Sequence, residues 1–386
     1  MKKSGNHMRS MLAFAQQLVR VQSYSGQEEQ IAHLVAKKMR DLAFDDMRID
    51  KLGSVSGRIG SGERSLLFES HLDTVQVHDA EEWKFPPFSG TISDGYLWGR
   101  GSVDMKSAIS ASIFAAAAAR DAGFLNNKTV YVSCSVFEED CDGEGIHAML
   151  EQGLLDPQYA VICEPSANQL VSGHKGKAQI IIRTHGRSAH GSAPEKGINA
   201  VYEMAEIIQR VEKTNLTLEP IAGRKGSLVL ARISSQGVSL NAVPDVCEIY
   251  LDRRTVPGES VEMIHQEMDG IIAGKNAEWE IDTVKRIAWT GEPITYHPLH
   301  IAWEIAESHP LAQSCTQAYR TVFGKEPESM RFWDFSTNAV GLRRHNISCI
   351  GFGPGDPKQA HMRDERCPVV QIEDAFRFYQ QLINAI

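Results

Sequence analysis

The hydrophobic pattern of the chain changes period several times, and each change marks an element. In SYSGQEEQIAHLVAKKMRDL, residues 23–42, Ile31, Leu34, Val35 and Leu42 share one helical face behind a Ser25-x-x-Glu28 capping box, which predicts a helix. RSLLFES and TVYVSCSVF are short apolar runs of strand length. Between them DMKSAISASIFAAAAARDAG reads as a helix with few polar interior positions, and YAVICEP is a further strand. Strand, helix, strand and strand again is the pattern of an α/β unit with a largely parallel sheet.

The texture changes near residue 176. KAQIIIRTHG is strand-like, and NAVYEMAEIIQRVEK is an amphipathic helix with Val201, Met204, Ala205, Ile208 and Val211 on one face. SLVLARISSQ follows as a strand. DVCEIYLDRR alternates, with Cys247, Ile249 and Leu251 against Glu248, Tyr250, Asp252 and Arg254. This order predicts a small α+β unit. From about residue 292 the first texture returns, with HIAWEIAESHPLAQSCTQAYRTVFG read as helical, ISCIGFG as a strand and EDAFRFYQQLINAI as a closing helix. The expected organisation is an α/β unit in two parts, 1–175 and 292–386, with an α+β unit, 176–291, inserted. Gly176 and the region around 291 are the expected hinges.

Composition narrows the class. The chain has 386 residues, more than one ordinary core accommodates. A net charge of −9 excludes a dedicated nucleic-acid binder, which carries a basic bias. No run reaches the ~18–20 apolar residues of a membrane span. The basic start MKKSGNHMRSMLAFAQQLV has an apolar part broken by polar residues, so it reads poorly as a signal peptide. Seven scattered cysteines with no C-x-x-C fit free thiols in a reducing compartment, and a cytoplasmic location is expected. GRIGSGE is too short for a phosphate-binding loop, and GFGPGD does not match G-x-G-x-x-G.

Candidate chemistry sits where strands end. LLFESHLDT ends in His71 and Asp73, SVFEED in Glu138 and Glu139, and AVICEP in Glu164. GRGSVDMK puts Asp104 at a helix start, and GDPKQAHMRDE offers His361 in a loop. In an α/β sheet the carboxyl ends of strands line one crevice. Each residue alone also has an ordinary reading: Asp104 as a helix cap, the adjacent acids as a solvated turn, Arg253 and Arg254 as surface charge. Together, imidazoles and carboxylates suit zinc or a similar divalent ion, a shared carboxylate suits two ions, and a spare carboxylate suits a general base.

The motifs SHLDTV, GRGSVDMK, EEDCDGEG, CEP, GRSAHGSAPEKGINA, NAVPDVCEIYLDRRTVPGE and AHMRDE resemble, in order and spacing, the M20 metallopeptidase and amidohydrolase family over nearly the whole chain. That family includes acetylornithine deacetylase, succinyl-diaminopimelate desuccinylase, aminoacylase-1 and glutamate carboxypeptidase. GHKGKAQI, FSTNAV and GFGPGD are similar to its selenium-metabolism-linked hydrolase branch. The resemblance implies a zinc-exopeptidase-like α/β catalytic unit with a ferredoxin-like insert serving as lid and dimer interface. It implies two divalent metal ions, zinc foremost, with cobalt or manganese as alternatives. His71 and Glu164 would hold one ion, Glu139 and His361 the other, and Asp104 would bridge them. Asp73 would orient and polarise His71. Glu138 would be the general base. His190 of the SAH motif would stabilise an oxyanion in the partner subunit of a homodimer, and Asn241 and Arg254 would contact substrate. Gly197 and Asn199 match the family too, although helix-start duty explains them equally. Glu at position 164 resembles the deacylases and carboxypeptidases, so the expected substrate is an N-acyl-amino acid or small peptide with a free carboxylate. An N-carbamoyl-amino acid is the second reading, and a non-catalytic binding protein on this scaffold is the third.

Overall fold

The computed structural model describes residues 2–237 and 239–386, with side chains from residue 7 on. A nine-stranded mixed sheet forms the centre of the larger unit. Its middle strands, Lys128–Ser135, Arg64–His71, Tyr159–Ile162 and Ser348–Gly351, lie side by side and run parallel. Antiparallel strands extend it at both ends, from Asp46–Ile49 to Trp303–Glu304. The mixed α/β architecture with a parallel centre is the one expected. The middle strands are buried on both faces, around apolar stretches such as Leu66, Leu67 and Phe68, and Ala160, Val161 and Ile162.

The Ala-rich helix Lys106–Asp121 is buried from Lys106 to Ala119. Small side chains let it pass between the sheet and the helices Lys2–Arg20 and Val369–Ala385. Among the described residues no helix is long and apolar enough to cross a membrane. All seven cysteines are free and buried.

The second sheet is antiparallel, in the order Ser227–Gln236, Val246–Thr255, Gly176–His185, Ala277–Ile281. Cys247, Ile249 and Leu251 face a core shared with the helices Ala200–Thr217 and Val261–Ile272, as the alternation requires. Asn199 caps the first of these helices by accepting a hydrogen bond from the Val201 amide at 2.9 Å. Two strand pairs join the sheets. Leu299–His300 pairs with the start of Gly176–His185, and Trp303–Glu304 pairs with Val171–His174. The outgoing and returning segments therefore form one antiparallel ribbon. Gly176 sits in this ribbon, where a Cβ would collide with Thr255 and with the backbone of His300 and Ala302. Close approach of three segments explains that glycine.

Four local expectations need correction. Ser25 and Glu28 form no capping box. Glu28 is buried with its carboxylate toward the Phe137 amide (3.3 Å), and the Ser25 hydroxyl donates to Asp73 at 2.7 Å. Residues 300–309 are strand and turn, and the helix starts at Pro310. The face of Ala200–Thr217 is rotated, so Ile207 is buried and Ala205 exposed. Arg253 is not surface charge: it is 1% exposed and bound by Glu259 and Glu267.

Candidate metal centre

The strand ends deliver their residues to one place. His71 is the last residue of Arg64–His71, and Glu164 follows Tyr159–Ile162. Glu138 and Glu139 follow Lys128–Ser135 and lie in a turn. Asp104 precedes the helix Lys106–Asp121 through a cis Asp104–Met105 peptide. His361 comes from a loop near the end of the chain and holds a left-handed backbone (φ 62°), a sparsely populated region for a non-glycine residue.

Asp104 stands between the two imidazoles. Its Oδ1 is 2.9 Å from His71 Nε2 and its Oδ2 is 3.2 Å from His361 Nε2. His71 Nε2 also lies 3.6 Å from Glu164, and His361 Nε2 lies 3.1 Å from Glu139. Potential ligand atoms of His71, Asp104 and Glu139 fall within 4.8 Å of one another, as do those of His71, Glu138 and Glu164.

The electrostatics are those of acids crowded away from water. Burial pushes Glu138, Glu139 and Glu164 up, aided by their mutual repulsion. Asp104 goes the other way: although burial opposes it, hydrogen bonds from His361 and His71 hold it down. Those same bonds, with Glu139, raise His361 to about 10, and Asp104 and Asp73 raise His71 against its burial. Among the described residues none of these four acids pairs with a lysine or arginine. Buried carboxylates without a compensating base, arranged around two imidazoles, fit divalent cations bound by nitrogen and oxygen.

A layer of further carboxylates holds this set in place. Asp73 accepts the amide N–H of Glu138 and of Glu139, each at 3.1 Å. His71 Nδ1 lies 2.9 Å from the Asp73 backbone carbonyl and 3.5 Å from its carboxylate, so both reach the ring nitrogen opposite Nε2. Glu365, fully buried, accepts from the amides of Gly101, Val103 and Asp104 and from Arg100. Sequence reasoning quoted Glu365 within AHMRDE without giving it a task. It had no signal for Glu28, whose carboxyl is pushed up to about 8 by burial and by Asp73. Cys163, beside Glu164, is a buried thiol pushed up to about 12.

The centre opens into a cavity of about 270 Å³. Small-molecule pockets run upward from about 300 Å³, so the space suits an amino-acid-sized ligand. Its far wall contains Arg254, Lys177, Asp142, Phe335 and Ser336. Arg254 is in place, but its Nε and Nη2 already donate to Asp252, at 2.7 and 3.1 Å. His190 and Asn241 do not line this cavity. They share a separate open hollow, joined by an antiparallel bridge between His190 and Ala242. The Ser192 amide donates to His190 Nδ1 at 3.1 Å, which leaves the neutral ring's proton on Nε2 as an outward donor. A third group, His147, Glu151 and His345, lies apart on the helix Glu144–Glu151 and after Ala339–Arg344.

A mixed α/β sheet with His, Asp and Glu converging at its strand ends forms a candidate metal-binding site. Residues 67–385 match the family described as Peptidase family M20/M25/M40, and the chain belongs to it. It is thereby a hydrolase acting on carbon–nitrogen bonds. YgeY of Escherichia coli strain K12 is 33% identical over 371 residues, covering 95% of this chain and 92% of its own. The succinyl-diaminopimelate desuccinylase of Corynebacterium glutamicum is 25% identical, covering 97% of this chain and 96% of its own. Among solved structures, aminopeptidase PepT from Bacillus cereus superposes with a TM-score of 0.75 at 18% identity, covering 98% of each chain. YXEP of Bacillus subtilis, described as a dinuclear metal-binding peptidase of the M20 family, gives 0.72 at 13% identity, again with 98% of each.

Proposed function

We propose that the protein hydrolyses the amide bond of an N-acyl-amino acid or small peptide with a free carboxylate, using two divalent metal ions. The observation that carries this reading is Asp104, with one carboxylate oxygen toward each imidazole. In this reading His71 and Glu164 hold one ion, Glu139 and His361 the other, and Asp104 is shared. Zinc suits the nitrogen and oxygen donors, as do cobalt and manganese. When bound, such a pair polarises a carbonyl and acidifies water toward neutral pH. Glu138, with no base of its own and a raised affinity for protons, takes a proton from the attacking water. It then delivers that proton to the departing amine nitrogen. Asp73 keeps Glu138 and Glu139 in register by holding both amides.

His190 contributes as an oxyanion donor through its Nε2–H, and it does so in a partner subunit. Its hollow lies outside its own chain's cavity, and the nearby edge strand Ser227–Gln236 exposes Val229 and Ile233. Edge strands with apolar side chains favour pairing with another copy. The division 1–175, 176–291 and 292–386 belongs to this reading, with the middle part as lid and dimer interface.

An N-carbamoyl-amino acid is the second reading. Arg254 does not separate the two readings, because both substrates carry a carboxylate and Asp252 engages only its Nε and Nη2. The test is release of free amine from N-acetyl, N-succinyl and N-carbamoyl amino acids and dipeptides, by protein loaded with zinc or cobalt, beside a chelated control. Chelator-sensitive turnover of one class selects the substrate. No turnover across the panel with two metals bound per chain would overturn both substrate readings and place the substrate outside these classes.

A further inference from the structure

The turn after Lys128–Ser135 reads Glu138-Glu139-Asp140-Cys141-Asp142, and its four acids divide into two pairs. Glu138 and Glu139 face the centre. Asp142 faces a base in the ribbon between the sheets, and Asp140 faces a base on the two-stranded sheet of Val284–Ile287 and Pro293–Tyr296. Asp142 Oδ1 accepts from Lys177 Nζ at 2.7 Å, and both side chains are nearly buried, at 5% and 11% exposure. Lys177 is the second residue of Gly176–His185, in the ribbon where the chain leaves the first sheet. Asp140 Oδ2 accepts from Arg286 Nε at 2.6 Å, on the strand Val284–Ile287. The Lys177 end is a network: His300 Nε2 lies 2.7 Å from Ser336 Oγ and 3.7 Å from Asp142. His300 Nδ1 is buried without a partner among the described residues.

The turn is thus held at both ends. Asp73 grips the amides of Glu138 and Glu139 at its start, and Lys177 grips Asp142 at its finish. Asp142 is four residues from Glu138, so a shift of one displaces the other. A buried ion pair adds little net stability over an apolar pair of the same shape, but losing one partner strands a charge and forces rearrangement. Such a pair is better suited to fixing a geometry than to strengthening a fold.

We propose that Asp142 and Lys177 are positioning residues: their pair fixes the turn that carries Glu138 and Glu139, so that the second sheet's ribbon sets the placement of both. Asp140–Arg286 is the exposed companion and carries a smaller share, as exposed pairs do. The roles of Glu138 and Glu139 rest on the proposed function, but the clamp itself does not.

Cys141 lies inside the turn and is buried, so its alkylation by iodoacetamide, read on the isolated peptide by mass spectrometry, reports turn order without metal or substrate. Metal-free K177M and D142N should alkylate Cys141 about tenfold or more faster than the parent, by stranding one buried charge. Titrated with Co²⁺, they should weaken one of two binding events by about tenfold and leave the other within about threefold, because only Glu139 of the ligands sits on the turn. K177R, which keeps the charge, should stay close to the parent in both readouts, and hydrolysis of the best substrate should follow in kcat more than in KM. R286M, at an exposed pair, should shift both by only about two- to threefold, and it keeps the test open if K177M does not fold.

Unchanged Cys141 alkylation in folded K177M and D142N, or in R286M should those two fail to fold, overturns the clamp. If the parent binds no Co²⁺, the metal reading falls while the Cys141 result still decides the clamp.

Discussion

The pocket around Asp104 draws on strand ends and loops from residue 71 to residue 361, whereas the hollow around His190 is made of two adjoining loops. In the pocket His71 is 1% exposed and Asp104 12%, and each group is gripped by another buried group. In the hollow His190 and Asn241 are exposed, and Ser192 is the main restraint on the imidazole. The pocket's proposed metal ligands and base all come from one chain, and the amides held by Asp73 and Glu365 position them. The hollow leaves His190 exposed, as its proposed role on another copy requires.

That contrast can be broken by substitution. Glu138→Gln should keep both metals yet lower kcat by about 10²–10⁴-fold, the usual range for a lost general base. Full turnover in a metal-loaded E138Q protein would remove Glu138 from that role. His190→Ala should lower kcat by about 10²–10³-fold, as loss of one oxyanion donor does elsewhere. Mixing it with E138Q chains should restore part of the activity, since one site in the mixed dimer is then whole. Absence of any restoration, with dimers present by sedimentation, would place His190 outside a partner's site. Arg254→Met should raise KM by about tenfold or more for a carboxylate-bearing substrate, the scale of a lost charged hydrogen bond, and should change KM little for a substrate lacking that group.

The smallest effect concerns the support beneath the pocket. Glu28 is raised to about 8, above its unfolded value near 4.3, by burial and Asp73. The folded chain therefore binds more protons than the unfolded one between those values, and stability falls as pH rises through that window. Glu28→Gln, which cannot ionise, should flatten this slope and raise Tm by a few degrees at pH 8 relative to the parent. Parallel Tm–pH curves for the two proteins would show that Glu28 does not titrate in this way.

The same contrast divides what could be read from the chain. His71, Asp73, Asp104, Glu138, Glu139, Glu164 and His361 were legible as chemistry because each ends a strand or sits in a short distinctive motif, and the sheet's parallel centre brings such ends together. The support was not legible. Glu28 looked like half of a capping box, because local spacing cannot reveal that a tertiary contact with the Phe137 amide outcompetes a helix cap. Glu138 and Glu139 read as the end of a strand, but the strand stops at Ser135 and Asp73 holds them in a turn. Arg253 and Arg254 read alike as surface charge, yet one is buried between two glutamates and the other lines the cavity.

The sequence by itself determined the α/β class and the donor types, because hydrophobic period and residue chemistry are local properties. Only the tertiary structure decided which carboxylates meet imidazoles, which carry amides, and which reach Lys177 and Arg286. Those choices depend on partners far away in the chain, and a buried charge has its function set by whichever partner folding brings to it.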